Sequence, residues 1–159
     1  MMQSINKLTS WRVLEELTKE VHGESWEQTH ISRGDFTHTL KVKAGLVMSL
    51  GRLIHLSEFV KNEEGLDELQ TEMVILMVHR LDAHGVVEAS FYPVSLQEGE
   101  IDYPRQSVTF SMDDSYEKRE LCGWVPSLQE FQSRFCSQWM ESIAERYAIE
   151  IVQQTQANG

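Results

Sequence analysis

The chain carries six histidines and two cysteines, and these are the residues to test first for chemistry. The densest group is His79, Asp82, His84 and Glu88, whose imidazoles and carboxylates are ligand types that zinc accepts. Their spacing matches no familiar metal site, however, and a solvated turn rich in His and Asp accounts for them better. His38 alternates with Phe36 and Leu40, and His55 falls in an ambiguous apolar segment. Either could titrate near neutrality if buried. Ser49 precedes Leu50 and Gly51 but lacks the second flanking glycine of a strained nucleophile turn. Cys122 stands beside a run of acids that disfavours its thiolate. No glycine-rich phosphate loop and no ordered calcium-loop spacing occur. No catalytic residue, metal or cofactor is therefore assigned, and a non-enzymatic role is favoured.

The strongest compositional signal is charge. Asp and Glu number 25 against 14 Lys and Arg, a formal net charge of -11. That excess repels phosphate backbones and anionic membrane surfaces and attracts basic partners, so direct nucleic-acid binding is not expected. Acids concentrate in Glu58 to Glu72, Glu98 to Asp102 and Asp113 to Glu120. Trp26, Tyr92, Tyr103, Tyr116 and Trp124 lie outside the helical stripes, and Trp and Tyr are favoured interface anchors. Together with Glu98, Glu100, Asp102, Asp113 and Asp114 they form the candidate binding set. A polar connector or ordinary core packing explains many of the same residues.

These groups must be positioned by a single domain, expected to span 1–152, with a frayed polar tail at 153–159. Leu8, Trp11, Leu14, Leu17 and Val21 predict an amphipathic helix closed by Gly23. Strict alternation over Phe36 to Lys43 predicts a strand with one wet face. Residues 44–60 fit a helix or a strand, and a strand or bent strand is preferred. Residues 66–81 can likewise be drawn as a helix, or as a helical turn followed by a buried strand. The Asp82-Ala83-His84-Gly85 turn decides for the latter, making Glu72 to Leu81 and Val86 to Val94 a hairpin. Val74, Leu76 and Val78 beside Ile75 and Met77 require cover on both faces, by a helix, a second sheet or a partner subunit. Ser107 to Met112 reads as the next strand of the meander. Leu121 to Val125 is a short strand or a lead into the last helix.

That helix is predicted to open with a Ser127/Glu130 capping box and to bury Leu128, Phe131, Phe135, Trp139, Ile143 and Tyr147. The expected fold is α+β: an antiparallel sheet of four to six strands flanked by an N-terminal helix and a long C-terminal helix. In outline, though in no motif, this order is similar to that of small secretion chaperones. No apolar run reaches the ~20 residues a membrane span needs. The opening residues contain no leader-like apolar stretch, and Cys122 and Cys136 are expected as reduced thiols, so a cytoplasmic address is expected.

The functional expectation is an acidic interaction protein of adaptor, chaperone, immunity or inhibitor type. It would bind a basic or amphipathic protein segment, with a homodimer open. The alternatives are a small-ligand binder or modest hydrolase with a pocket between sheet and C-terminal helix, and a nucleic-acid mimic.

Overall fold

A computed structural model describes residues 10–23, 25–34, 36–48, 51–100, 102–110 and 121–150. The chain runs through helix α1 (Ser10–Thr18), strands β1 (Glu27–Ile31), β2 (His38–Val47), β3 (Arg52–Lys61), β4 (Asp67–Leu81), β5 (Val87–Glu98) and β6 (Arg105–Gln106). A two-stranded ribbon, β7 (Val108–Phe110) and β8 (Leu121–Trp124), then leads into helix α2 (Pro126–Arg146). Strands β1 to β6 form one antiparallel sheet in sequential order. The α+β class with two flanking helices is as the sequence predicts.

Turn chemistry builds the long central hairpins. Asn62 and Asp82 each accept two backbone N–H groups through the side-chain oxygen, from Glu64 and Leu66 in one turn and from His84 and Val86 in the other. Gly65 and Gly85 close the two turns with φ of 79° and 76°. The left-handed conformation there is cheap only without a Cβ. Residues 66–71 therefore contain no helical turn, and β4 runs unbroken from Asp67 because Lys61 pairs with Asp67 across the first turn.

Residues 44–60 likewise are not one bent strand. They hold the end of β2, a tight turn closed by paired bonds between Met48 and Gly51 (2.7 and 3.2 Å), and most of β3. Gly51 is required at that turn, since a Cβ there would meet Met77 O at 2.3 Å.

Met73, Ile75 and Met77 face the helices with Leu40, Leu56, Phe91 and the buried stripe of α1 (Val13, Leu14, Leu17). On the opposite face Leu76, Tyr92 and Val94 are covered by Val108 of the ribbon, with Val74, Val78, Phe110 and Trp124 around them. The doubly apolar strand thus receives cover on both sides. Helix α1 ends before the expected His22: Thr18 Oγ1 donates back to Leu14 O (2.7 Å), and Val21 N bonds Thr18 O in a tightened final turn. Phe36 lies in a turn with φ 57° and is exposed, so the strand begins at His38.

The third meander strand also departs from expectation. Only Arg105 and Gln106 pair with β5, and the chain then leaves the sheet at Ser107 to form the ribbon with β8. Ser107 is the pivot: its N–H donates to Val94 O (2.9 Å) and its hydroxyl to Gln132 Oε1 (2.5 Å).

Helix α2 starts at Pro126 with Val125 as N-cap and no side-chain capping bond, so the Ser127/Glu130 box is not formed. Proline at the first helical position is preset for helical φ, so the helix opens at Pro126 and Ser127 falls inside it instead of at the N-cap position. The buried stripe is Gln129, Gln132, Cys136, Trp139, Met140 and Ile143, whereas Phe131 is 44% exposed. The helix is rotated because its first two turns meet backbone carbonyls at the sheet edge, which amide side chains satisfy and phenyl rings cannot. Cys136 is fully enclosed, and burial pushes its thiol up to about 12, while Cys122 is exposed; both are free. Iodoacetamide is expected to alkylate Cys122 alone in the folded protein and both thiols after unfolding, as peptide mass mapping would show. Labelling of Cys136 under native conditions would contradict this packing.

Candidate interaction surface

The richest acidic stretches are not equivalent in space. Glu58, at the start of the first, is 2% exposed. Its carboxylate accepts Trp139 Nε1 at 3.1 Å, Arg146 at 2.5 Å and the Tyr147 hydroxyl at 2.7 Å. It is a clamp between β3 and the end of α2 and takes no part in a surface.

Glu63, Glu64, Asp67 and Glu68 of that stretch are exposed, and β4, which they lead into, meets the second stretch. Strand pairing sets Thr71 opposite Glu98, and Glu100 Oε1 accepts Leu69 N at 3.0 Å. The turn after β5, with Glu98, Glu100 and Asp102, is thereby held against β4 at Leu69, next to Glu68 and Asp67 at the start of the strand that the Glu63–Glu64 turn leads into. Leu66 in the β3–β4 turn and Tyr103 in the turn after β5 are 61% and 84% exposed. Asp102 Oδ1 accepts the N–H of Tyr103 at 2.9 Å, fixing the turn that presents the ring. An exposed apolar side chain and an exposed phenol in turns this rich in carboxylates can take an amphipathic cation: the ring and methyls bind its stem while the acids bind its head.

The other members of the predicted set sit elsewhere. Tyr92 is 5% exposed, buried beneath the ribbon, and its hydroxyl accepts from Arg80. It is a packing residue, as is Trp124, whose indole N–H donates to Gln129 Oε1 at 2.9 Å. Trp26 packs half-buried against the main core. Asp113, Asp114 and Tyr116 lie outside the described residues. Sequence reasoning did not assign Leu66, Glu63, Glu64 or Glu68 to the site. The Asn-x-x-Gly spacing at 62–65, the same as Asp-x-x-Gly at 82–85, is the signal that marks their hairpin.

Around the second hairpin, the Asp82 carboxylate is occupied by turn amides, and among the described residues no three His, Cys, Asp or Glu converge to hold a metal. His38 Nδ1 contacts its neighbour Thr37 Oγ1 at 2.9 Å. His55 lies on the sheet face away from the helices, its ring over Gly45, where a Cβ would come 2.8 Å from Nε2. Burial lowers the pKa of His55; Glu72 opposes that shift and Lys43 adds to it. Burial lowers His30 as well.

The fold therefore disfavours the protonated form of both rings. Stability from them is present above the unfolded value of about 6.5 and is lost as pH falls through their lower folded values. The urea midpoint is expected to drop between about pH 7 and about pH 5, and less steeply in His30→Gln/His55→Gln. Equal slopes in both proteins would rule out these rings as the cause.

Two open grooves flank the helices, one of about 250 Å³ bounded by α1, Met77, His79 and Val87, and one of about 330 Å³ between α1, β1 and the residues after α2. Among the described residues no helix is long and apolar enough to cross a membrane. Comparison of the chain with protein-family models, curated proteins and solved structures found no match.

Proposed function

We propose that this is a non-enzymatic interaction protein of adaptor, chaperone, immunity or inhibitor type, which binds a basic or amphipathic segment of another protein. The observation that carries the reading is the bond that holds acidic Glu100 against the start of β4, the strand entered from the acidic β3–β4 turn, with Leu66 and Tyr103 exposed in the two turns. Net charge of -11 steers a basic partner in, and the apolar pair holds it once desolvated. The free thiols fit a reducing, cytoplasmic compartment.

An enclosed ligand site has less support, because Leu40, Ile54, Leu56, Ile75 and Phe91 fill the space between sheet and helices. A nucleic-acid mimic also has less support, since these carboxylates cluster at hairpin turns instead of running in rows.

The test uses a fluorescein-labelled peptide of arginine and leucine that forms a basic amphipathic helix. Its affinity is expected to fall about tenfold between about 50 and about 500 mM salt. Glu63→Lys/Glu64→Lys/Tyr103→Ala should weaken binding by a similar factor while leaving the melting curve in place, because all three side chains are exposed. Binding unchanged by both salt and the triple substitution would sink the proposal.

A further inference from the structure

We infer that the free edge of β1 docks an extended, lysine- or arginine-bearing peptide, which adds a strand to the sheet and seats its basic side chains in the groove beside α1. The inference is independent of the acidic turns, because it rests on backbone phase.

In an antiparallel pair, alternate residues direct both backbone polar groups toward the partner and the intervening ones direct them away. Ala44 N bonds Trp26 O, Ser32 N bonds His38 O, and the register pairs Gln28 with Val42 and His30 with Leu40. The even-numbered residues of β1 thus face β2. The N–H and C=O groups of Glu27, Thr29 and Ile31 face outward, and among the described residues no strand lies beyond them. The phase is confirmed one residue on, where the outward N–H of Arg33 donates to Arg146 O at 3.1 Å.

The opposite edge is treated differently. Along β5, Trp11 Nε1 covers Ala89 O (2.9 Å), Gln129 Nε2 covers Pro93 O (2.9 Å), and Ser107 N covers Val94 O (2.9 Å). Edges left open are templates for pairing, and β1 carries no lysine, proline or bulge to blunt its own.

The groove on the helix side of β1 states what should pair there. Gln28 and His30 line it from the strand, Leu17 and Ile149 supply apolar wall, and Glu16, Glu20 and Glu150 supply carboxylates. Lys19, the one lysine or arginine in the lining, is held by Glu16. Among the described residues, none hydrogen-bonds His30 Nε2, which is shielded there. An aliphatic stem with a cationic head fits such a lining. Every second residue of an added strand points into this groove. The intervening ones lie on the other face beside Thr29 and Ile31, which is 58% exposed, and suit a β-branched apolar residue. A second copy of this chain fits poorly, because edge-to-edge pairing would bring two sets of the same carboxylates together.

The probe is a fluorescein-labelled peptide of alternating lysine and valine. Anisotropy should report binding that is lost when glutamate replaces lysine. Two N-methylated versions give the backbone test: methylation of every valine should abolish antiparallel docking and methylation of every lysine should abolish parallel docking. Loss confined to one version supports the inference, and equal behaviour of the two overturns it. Hydrogen exchange should slow at the amides of Glu27, Thr29 and Ile31 on saturation, with those of Gln28 and His30 unchanged.

Thr29→Pro removes one outward N–H that the fold does not use and should weaken binding about tenfold. Glu20→Lys/Glu150→Lys should weaken it comparably. If Thr29→Pro does not fold, the N-methyl and exchange results on the unaltered protein decide. Edge amides already protected in the free protein, with sedimentation showing a dimer, would assign the edge to a second copy and overturn the proposal.

Discussion

Glu58→Ala is expected to destabilise the protein by about 3–5 kcal/mol and to lower the thermal midpoint by roughly 10 °C. The carboxylate is nearly solvent-free, and it is the acceptor for Trp139 Nε1, Arg146 and the Tyr147 hydroxyl. Deleting it leaves two neutral donors and one partly exposed cation to be desolvated without return, which costs more than the lost bonds themselves contribute. Tyr147→Phe removes a single donor and should cost only about 1 kcal/mol.

The clamp has a signature in alkali. Burial, reinforced by the Glu58 hydrogen bond and charge, raises the Tyr147 phenol well above its ordinary value, so the folded state retains that proton. Stability from this group is complete below the unfolded value of about 10 and declines as pH rises above it. Urea titrations of the three proteins at neutral and alkaline pH would measure both effects. A loss below about 1 kcal/mol in Glu58→Ala would mean that water replaces the carboxylate at no cost, and the clamp would not be what secures α2.

The second large effect is expected from Gln129→Ala/Gln132→Ala, about 3–4 kcal/mol, with a localised consequence. Gln129 bonds Pro93 O and Trp124 Nε1, while Gln132 bonds Arg105 O (2.7 Å) and Ser107 Oγ. These contacts fasten the point where the chain leaves the main sheet and the ribbon begins. The ladder from β2 to β4 does not depend on them. Hydrogen exchange should therefore accelerate in β6 to β8 well before it does in β3 and β4. The single variants need not add up to the double, since Pro93 and Ser107 are neighbours within one network. Uniform acceleration across all strands would indicate a general loss of packing and refute the edge-fastening role.

These same residues mark where sequence reading succeeds and where it stops. Alternation along β2, the Asp82–Gly85 turn and the continuous periodicity of α2 are carried by residues within a few positions of one another. Backbone stereochemistry and turn side chains act at that range. The Asn62–Gly65 turn has the same spacing as Asp82–Gly85, and drawing a helical turn directly after it hid the start of β4.

The rotation of α2 was not legible. Amphipathic counting puts Phe131 inside and Gln129 outside, but carbonyls 27 and 36 residues away in sequence reward the reverse. Of the candidate binding residues, Glu98, Glu100, Asp102 and Tyr103 stand together at the acidic turns, whereas Tyr92, Trp26 and Trp124 are drawn into packing. Ring chemistry alone does not separate an anchor from a core residue, because both uses desolvate the same apolar surface.

By itself, then, the amino-acid order determined the α+β class, the hairpin around Asp82–Gly85, the two helices and the excess of negative charge. Only the tertiary structure decided which acid is a buried clamp and which acids meet at one end, because Glu58 finds its donors 81, 88 and 89 residues away. Local propensity acts between neighbours in the chain. Solvation of a polar group depends on whatever the fold brings against it from far along the chain, and that difference in range separates what was readable from what had to be seen.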